Sequence, residues 1–380
     1  MKNDKRKIKV CHVTSAHNRY DGRIFLKQCV SLVNNNYDVT LLCCDNIPDE
    51  KKNNVNIVST NKKFSSIYDR IFNSKKILKN KCIEIDADIY QFHDPDLLSL
   101  ALKMKKIGKK VIFDSHENYP ALFLEREWIP SFLRRICAFL YSKKENRAFR
   151  KMDAVICVTD YVKERIKRVN SNVYVVTNYP IIENIHKTKL RSDLTTLCFA
   201  GGIRSDWNHE VILKAIKDIE NIKYVVAGNC TNDYLNILRQ YESFDKMEFL
   251  GKINHCEVKE LYAKSTIGMA LCSYRPNTEY KMGSLGNTKI FEYMMSELPV
   301  IFTDFEVFKN ILTEGVYGIA VNPYSEEDVK NAIKYLIDNP DIALKMGKTG
   351  RKLVEKKYNW ESQVPILLSV YEKLGRQNEK

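Results

Sequence analysis

Lys289 and Glu292 lie three residues apart in a segment, 286–301, whose sequence predicts a short amphipathic helix followed by a strand. The helix would begin at Asn287 and Thr288, and the unpaired N–H groups of a helix N-terminus attract phosphate. Lys289 adds a cation in the first turn. Glu292 lies on the same helical face, where its carboxylate can accept hydrogen bonds from two sugar hydroxyls. The spacing fits a site for a diphosphate and a sugar, and it fits a solvated lysine–glutamate pair equally well.

Two glycine turns follow predicted strands in the same half of the chain. Gly201 and Gly202 let the backbone approach a ligand closely and turn its N–H groups outward. Arg204, two residues further on, could pair with a diphosphate. Gly228 ends another predicted strand. Taken alone, each turn is also what an ordinary strand-to-helix connection requires.

Polar residues also follow predicted strands in the first half of the chain. They are His17, Asp21 and Gly22 after the first strand, His93 after a later one, and His116 and Glu117 after the next. The carboxyl ends of parallel strands share one edge of a sheet, which is where ligands bind. A histidine beside a carboxylate can hold a substrate hydroxyl, although such pairs are often structural. Asp21 fits a plain helix N-cap as well.

These residues need a scaffold, and the chain alternates short β-branched runs with amphipathic helices. Such alternation predicts parallel βαβ units. It stops in a polar stretch at 183–193 and then restarts, which predicts a linker between two α/β domains. Among the predicted helices are Ser131–Phe149, Thr288–Met295 and a last one at 358–376. A chain of 380 residues is long for one core and comfortable for two.

Composition narrows the classes of function. A hydrophobic content of 44% and a charged content of 28% are typical of a globular soluble protein. No apolar run approaches the roughly 20 residues that span a bilayer, and the N-terminus lacks the features of a signal peptide. The 11 cysteines are scattered without the spacing of a zinc site, which predicts reduced thiols in the cytoplasm.

The formal net charge of +14 is unevenly distributed. Basic residues concentrate at 51–81 and at 131–151, where they are mixed with apolar side chains such as Phe132 and Phe139. This mixture favours contact with an anionic membrane surface, and a solvated lysine-rich face explains it as well. We expect no nucleic-acid partner, because the sequence has no recognition motif for one.

The run Asn-Thr-Lys-Ile-Phe-Glu-Tyr-Met, followed by Pro-Val-Ile, resembles the nucleotide-sugar signature of the family 4 retaining glycosyltransferases. The turns and strand ends described above extend this resemblance over almost the whole chain. It implies the α/β GT-B fold, in which two Rossmann-like, doubly wound domains face each other across a deep cleft. It implies an acceptor-side domain at 1–180, a donor domain at 181–357 and a C-terminal helix at 358–380 that returns toward the first domain.

The resemblance also implies a reaction: transfer of a sugar, with retained configuration, from a nucleotide diphosphate-sugar to a hydroxyl of a glycan or lipid-linked glycan. Such reactions build surface polysaccharides or glycolipids. The implied catalytic residues are His116, Asp21 and Glu117, with His17 and His93 on the acceptor side. The implied donor-binding residues are Gly22, Gly201, Gly202, Arg204, Gly228, Ser284, Leu285, Asn287, Thr288, Lys289 and Glu292.

Ser284 departs from the family pattern, which often has a glutamate eight residues before the position of Glu292. Contacts to the sugar must then come from backbone N–H groups or from Ser284 itself. We expect no cofactor and no metal, because cationic side chains and a helix dipole can stabilise a leaving diphosphate. The Asp-x-Asp pairs at 86–88 and 94–96 could bind a metal, but they lie in the other half from the phosphate-binding residues. We expect the protein in the cytoplasm, including the inner face of the cell membrane.

Two alternatives stay open. A nucleotide-sugar 2-epimerase shares the two-domain arrangement but would need acid and base carboxylates around the sugar. An inactive nucleotide-binding partner subunit would explain the serine at position 284. A dinucleotide-dependent oxidoreductase is disfavoured, since neither half contains Gly-x-Gly-x-x-Gly after a first strand.

Overall fold

The computed structural model describes residues 6–64, 66–184 and 194–375, apart from the side chain of Ile67. The chain forms two compact units. One consists of Met1–Asn178 together with Trp360–Lys380, and the other of Tyr179–Asn359. Most of the predicted linker, residues 185–193, lies outside the described residues.

The first unit is built on an eight-stranded sheet. Its strands are β1 (Lys9–Val13), β2 (Asp38–Cys43), β3 (Glu50–Lys52), β4 (Val55–Ser59), β5 (Ile89–Phe92), β6 (Lys110–Ser115), β7 (Ala154–Cys157) and β8 (Val173–Val175). The order is β3-β4-β2-β1-β5-β6-β7-β8, and only β3 runs antiparallel to its neighbour. Every residue of β5 and β7 is buried, as expected for central parallel strands covered on both faces.

Helices connect these strands. They are α1 (Val30–Asn34), which continues a π-helical segment at Gly22–Cys29, α2 (Ile67–Ile85), α3 (Leu98–Lys106), α4 (Tyr119–Glu125), α5 (Ser131–Phe149) and α6 (Asp160–Lys167). Side-chain caps fix several of their starts. Ser66 accepts a hydrogen bond from the Asp69 N–H and Thr159 from the Val162 N–H. Across residues 6–64, 66–184 and 194–375, no helix is both long and apolar enough to span a bilayer.

The second unit contains a six-stranded, fully parallel sheet in the order β11-β10-β9-β12-β13-β14. Its strands are β9 (Thr195–Ala200), β10 (Ile222–Ala227), β11 (Met247–Phe249), β12 (Ile267–Ala270), β13 (Val300–Thr303) and β14 (Gly318–Val321). Its helices are α7 (His209–Ile216), α8 (Asn232–Leu238), α9 (His255–Ala263), α10 (Thr288–Met295), α11 (Glu306–Leu312), α12 (Glu326–Asp338) and α13 (Pro340–Lys356). The core of this unit includes Phe199, Phe291 and Phe302.

The last helix, α14 (Val364–Gly375), packs within the first unit. The Trp360 indole N–H donates to the Ser31 hydroxyl at 2.9 Å. The Gln363 side-chain oxygen accepts from the Thr177 N–H at 3.0 Å. Leu367 and Tyr371 are fully buried. The C-terminal segment is therefore an integral part of the first unit.

The predicted parallel α/β architecture is confirmed, and the helices predicted at Ser131–Phe149 and Thr288–Met295 have those bounds. Three elements were not predicted. Strand β3 is a polar Glu-Lys-Lys run with no apolar alternation, and α4 follows a proline-containing turn. Helix α13 contains Gly347 and Gly350, which lower helix propensity. A Cβ at Gly347 would lie 2.0 Å from the Glu297 carbonyl oxygen, so tertiary packing requires glycine there.

Candidate functional site

A cavity of about 420 Å³ opens at the carboxyl ends of β9 and β10 in the second unit. Six of the predicted donor-binding residues line it: Gly201, Gly202, Gly228, Thr288, Lys289 and Glu292. The remaining lining residues are Ala200, Ala227, Asn229, Lys252, Ile253, His255, Val258 and Tyr262. Two glycine turns and one helix start, which are distant from one another in the sequence, thus meet at a single concave surface.

The floor of the cavity depends on two glycines. Gly201 and Gly228 have φ angles of +148° and +142°, which side chains rarely adopt. A Cβ at Gly228 would lie 1.7 Å from the Gly201 carbonyl oxygen, and a Cβ at Gly201 would lie 2.4 Å from Cε of Lys289. The Gly201 N–H donates to the Ala227 carbonyl at 2.8 Å, which joins the two turns. Only glycine allows this close approach of the two turns beneath Lys289.

Lys289 is a half-buried cation above two aromatic rings. Its Nζ lies 4.4 Å from the centre of the Trp207 ring and 5.3 Å from that of Phe199. Burial lowers the pKa of Lys289 from its ordinary value. Among the described residues no carboxylate lies within ion-pair distance of its ammonium group. A cation that lies over aromatic rings and forms no ion pair with a carboxylate of the described residues is suited to bind an anion.

The start of α10 adds to this positive potential. Asn287 occupies the N-cap position but makes no side-chain capping hydrogen bond. The helix dipole and the first-turn N–H groups therefore stay available at the cavity wall formed by Thr288 and Lys289.

Glu292 is held by a residue that the sequence analysis missed. The Tyr262 hydroxyl, on α9, donates to Oε2 of Glu292 at 3.2 Å. Tyr262 is only 3% exposed, so its ring anchors the carboxylate at the cavity. The amphipathic pattern of α9 predicts that Tyr262 is buried, but nothing in the sequence connects Tyr262 with Glu292, which is 30 positions away.

Four predicted donor-binding residues of this unit lie outside the cavity lining. Arg204 is 64% exposed and forms two hydrogen bonds to Asp206, at 3.1 and 2.9 Å. Arg275 pairs with the same carboxylate. Pairing of Arg204 with Lys289 at a diphosphate would therefore require its side chain to leave Asp206.

The other three belong to the loop that leads into α10. The Ser284 hydroxyl accepts from the Gly286 N–H, and its carbonyl accepts from the Asn287 N–H, both at 3.1 Å. Leu285 packs partly buried against the core of the second unit. The loop thus orients the helix start.

The first unit gathers its predicted residues at the ends of β1, β5 and β6. Nε2 of His116 lies 3.2 Å from Nδ1 of His93 and 3.2 Å from Oδ2 of Asp114. The ring centres of His17 and His116 are 5.0 Å apart. His93 and His116 therefore form one cluster with Asp114, a strand residue that the sequence analysis did not single out, and the His17 ring lies beside His116.

Asp114 is the buried charge of this cluster. The Arg23 guanidinium donates to both of its oxygens, at 3.0 and 2.8 Å. Although burial opposes ionisation, Arg23 keeps the pKa of Asp114 well below its usual range. Burial lowers the pKa of His93 to about 4. His93, Asp114 and His116 are close enough to hold a metal, but the Arg23 cation already neutralises Asp114 and we assign none.

His17 forms a separate pair. Its Nδ1 lies 3.1 Å from Oδ1 of Asp94. Burial opposes protonation, yet the hydrogen bond to Asp94 raises the pKa of His17 above its ordinary value. Asp94 also accepts from the Thr14 hydroxyl at 2.7 Å and the Ser15 N–H at 2.6 Å. Asp94 therefore organises the loop after β1.

The remaining predicted residues of the first unit have simpler settings. The Asp21 carboxylate caps the π-helical segment by accepting from the Arg23 and Ile24 N–H groups, both at 2.8 Å. This is the N-cap interpretation, and it engages one oxygen. A Cβ at Gly22 would meet nothing within 4 Å, so packing within the protein does not require glycine there. Glu117 is exposed at the end of β6.

Comparison with known proteins agrees with this geometry. Residues 22–179 match the model of Glycosyltransferase Family 4, and residues 181–353 match that of Glycosyl transferases group 1. An uncharacterised glycosyltransferase of Methanocaldococcus jannaschii is 26% identical over 303 residues, 73% of this chain and 82% of that protein. The O-antigen chain mannosyltransferase RfbU of Salmonella typhimurium is 25% identical over 264 residues, 64% of this chain and 69% of that protein.

Solved structures show the same fold at low identity. Sucrose-phosphate synthase of Thermosynechococcus elongatus has a TM-score of 0.79 at 14% identity and covers 98% of this chain and 100% of its own. Anabaena HepE, solved in complex with UDP-glucose, has a TM-score of 0.68 at 13% identity and covers 97% of this chain and 100% of its own. The two family matches lie end to end and span most of the sequence, so the chain belongs to the family 4 glycosyltransferases and has their GT-B fold.

Proposed function

We propose that this glycosyltransferase moves a sugar from a nucleoside diphosphate sugar to a hydroxyl of a glycan or lipid-linked glycan, with retained configuration, in the synthesis of a surface polysaccharide or glycolipid. One observation carries the proposal: Lys289 forms no ion pair with the described residues, and it lies at the N-terminus of α10, above a floor that only glycine permits. The cavity suits a diphosphate because it offers a full positive charge, a helix dipole and close backbone approach.

The reaction follows from charge that develops during sugar transfer. When the bond from the sugar to the diphosphate breaks, negative charge grows on the departing phosphate oxygen. Lys289 and the α10 N-terminus would stabilise that charge more strongly in the transition state than in the bound donor. Glu292, held by Tyr262, would accept the hydroxyl hydrogen bonds of the ribose. The proposal requires no metal, because these groups supply the positive charge.

The nature of the relatives supports the choice of substrates. HepE was solved with UDP-glucose, and RfbU is a mannosyltransferase of O-antigen chains. A nucleoside diphosphate sugar and a growing surface glycan are therefore the substrates that we propose for this chain. His116, Asp21 and Glu117 remain its predicted catalytic residues.

A thermal-shift panel of UDP, GDP and ADP on the full chain tests the donor site, because a ligand that binds only the native state raises its stability. We expect one nucleotide to raise the Tm, and Glu292→Gln to reduce that rise. The control is Glu248→Gln, which alters a partly exposed glutamate on β11 that pairs with Lys223 on β10. Absence of a shift with every nucleotide would contradict the proposal.

Turnover then separates the alternatives. The matching nucleotide sugar is incubated with and without glycan acceptors, and the anomeric configuration of the product is read by NMR. Transfer with retention is the expected result. An isomerised nucleotide sugar without acceptor would identify a 2-epimerase, and binding without turnover on any acceptor would favour an inactive subunit.

We also propose that the first unit binds an anionic membrane surface from the cytoplasmic side. On α5 the apolar side chains of Phe132 and Phe139 are 75% and 57% exposed, and Trp128 before the helix is 74% exposed. Lys143 lies 4.6 Å from the Phe139 ring centre, and Arg135 and other basic residues share the helix. Exposed aromatic side chains beside basic ones are typical of interfacial helices.

Co-sedimentation with vesicles tests this second proposal. We expect binding to vesicles that contain anionic lipid, weaker binding at raised salt, and loss of binding in a Phe132→Ser, Phe139→Ser double variant. Tyr335→Ser, which changes an exposed aromatic on α12 of the second unit, is the control. Failure of the unmodified chain to bind anionic vesicles would refute the proposal.

A further inference from the structure

A ring of buried polar contacts in the first unit connects the last helix to the predicted catalytic histidine. Its members come from the π-helical segment, β1, β5, β6 and α14, and they are His12, Gln28, Gln91, His93, Asp114 and Tyr371. All six are fully buried. His116 joins the ring at His93 and Asp114, and its side chain is 15% exposed. Because each member has few protons to donate, the direction of every bond can be worked out.

The argument begins at Asp114. Its carboxylate is ionised beside Arg23 and can only accept hydrogen bonds. The Gln28 side chain, 2.7 Å from Oδ2, must therefore present its nitrogen to Asp114. The Gln28 oxygen then accepts from the nitrogen of Gln91, at 2.5 Å. Both glutamine orientations are fixed by the charge of one carboxylate.

The hydrogen bonds of Tyr371 determine which nitrogens of His12 and His93 carry protons. The Gln91 oxygen must accept, so the Tyr371 hydroxyl donates its single proton to it, at 2.5 Å. The Tyr371 oxygen can then only accept from Nε2 of His12, at 3.2 Å. Burial lowers the pKa of His12 well below its ordinary value, so the His12 imidazole is neutral. Because its proton is on Nε2, its Nδ1 carries none. Nδ1 of His12 accordingly accepts from Nε2 of His93, at 3.0 Å.

The protonation of His93 determines which nitrogen of His116 carries a proton. His93 is neutral at physiological pH and its proton is on Nε2, so its Nδ1 is bare. Nδ1 of His93, Oδ2 of Asp114 and Nε2 of His116 lie within 3.3 Å of one another. Two of these three atoms are acceptors, and only a proton on the third relieves their repulsion.

We infer that neutral His116 carries its proton on Nε2 and presents a bare Nδ1, and that Tyr371 is the positioning residue that fixes this tautomer through the ring. In this state His116 accepts a hydrogen bond from a substrate hydroxyl through Nδ1 and donates none. The described residues make no hydrogen bond to that nitrogen. The chemical group that His116 recognises is therefore a hydroxyl donor, such as a sugar or acceptor alcohol. The catalytic part of this inference rests on the proposed function, but the tautomer itself does not.

NMR of the full chain labelled with nitrogen-15 at histidine tests the tautomer directly. Long-range proton–nitrogen spectra at about pH 8 distinguish a bare from a protonated ring nitrogen, and His116→Gln identifies the signals of His116. We expect a bare Nδ1 and a protonated Nε2 in the unmodified protein. A proton on Nδ1 would overturn the inference without any variant being needed.

Tyr371→Phe tests the positioning role. Without the hydroxyl, His12 loses the acceptor of its Nε2 proton and both histidines can exchange tautomers, so the His116 nitrogen signals should move toward averaged values. The control is Tyr37→Phe, since the Tyr37 ring packs against Tyr371 at 5.7 Å but its hydroxyl is not a member of the ring. Unchanged His116 signals in folded Tyr371→Phe would refute a role for Tyr371. If that variant does not fold, Gln91→Leu removes the acceptor of the Tyr371 hydroxyl, and we expect the same change in the His116 signals.

Kinetics separates this inference from the proposed function. With a nucleoside diphosphate sugar and acceptor, we expect Tyr371→Phe to lower kcat at least about twofold with little change in the donor KM, because only one of the two exchanging tautomers is productive. A shifted tautomer with unchanged kcat would refute the positioning role. No turnover by the unmodified protein would contradict the proposed function and leave the NMR result standing.

Discussion

The two candidate sites of this glycosyltransferase differ in how their central charges are compensated. In the first unit, Asp114 is fully buried and surrounded by Arg23, Gln28 and two histidines, so its charge is compensated within the protein. In the second unit, Lys289 is half-buried with aromatic neighbours and no carboxylate partner among the described residues. Removal of one partner of a compensated buried charge destabilises the fold, whereas an uncompensated charge is available to a ligand. The comparison separates a charge that is compensated within the protein from a charge that we propose is compensated by the donor.

The largest effect should come from Asp114→Asn. Removal of one partner of a buried ion pair leaves the Arg23 guanidinium unpaired, which costs about 3–5 kcal/mol of unfolding free energy. Urea denaturation followed by circular dichroism measures this loss. Asp86→Asn is the matched control, because Asp86 is an exposed residue paired with Lys109 and should leave stability almost unchanged. Equal stability of the two variants would show that the Asp114 network does not hold the fold.

Lys289→Met should have the opposite character. It removes an uncompensated cation, so the unfolding free energy of the ligand-free protein should not fall. Binding of the preferred nucleoside diphosphate should weaken by about 1.5–3 kcal/mol, the loss of a charge-assisted hydrogen bond. Calorimetric titration measures the affinity. Lys214→Met is the control, since Lys214 is an exposed cation near the Tyr241 ring and outside the cavity. A destabilised Lys289→Met with normal nucleotide affinity would remove the contrast between the two regions.

Gly228→Ala tests the floor of the cavity. The new Cβ would overlap the Gly201 carbonyl, and the backbone would need to shift at a cost of about 1–3 kcal/mol. We expect a lower Tm together with weaker nucleotide binding. Gly22→Ala, where a Cβ has open space, should keep its Tm. If both variants behave alike, the close approach of the two glycine turns is not required.

The smallest effect concerns pH and His17. Its pKa is raised in the folded state, so its pair with Asp94 stabilises the protein fully below the unfolded value of about 6.5. That contribution is lost as the pH rises through the higher folded pKa. Relative to His17→Gln, the unmodified protein should therefore lose stability between about pH 6 and pH 8, by less than about 1 kcal/mol. His255→Gln, which removes a histidine without a carboxylate partner in the described part of the chain, should follow the unmodified protein.

The sequence predicted local features well and long-range partners poorly. Strands, helices and glycine turns have local signatures, and strand ends in parallel sheets converge, so Gly201, Gly228 and Lys289 could be grouped without a structure. The roles of Tyr262 and Tyr371 could not. Tyr371 meets His12 across 359 positions, and both are plain buried residues in their own segments. Asp21 illustrates the remaining ambiguity, because a cap and a catalytic carboxylate have the same sequence signal.

The first unit is built from two parts of the sequence that are synthesised at different times, so it cannot finish folding until the second part has been made. Residues up to 178 leave the ribosome before the 181 residues of the second unit and well before Trp360 and Tyr371. Until those last residues emerge, Ser31 lacks its indole donor and His12 lacks its phenol. We expect the nascent first unit to remain partly folded until α14 has been synthesised. Chains that terminate before Trp360 would lack both contacts, so we expect them to be more open to chaperones and proteases than chains that include α14.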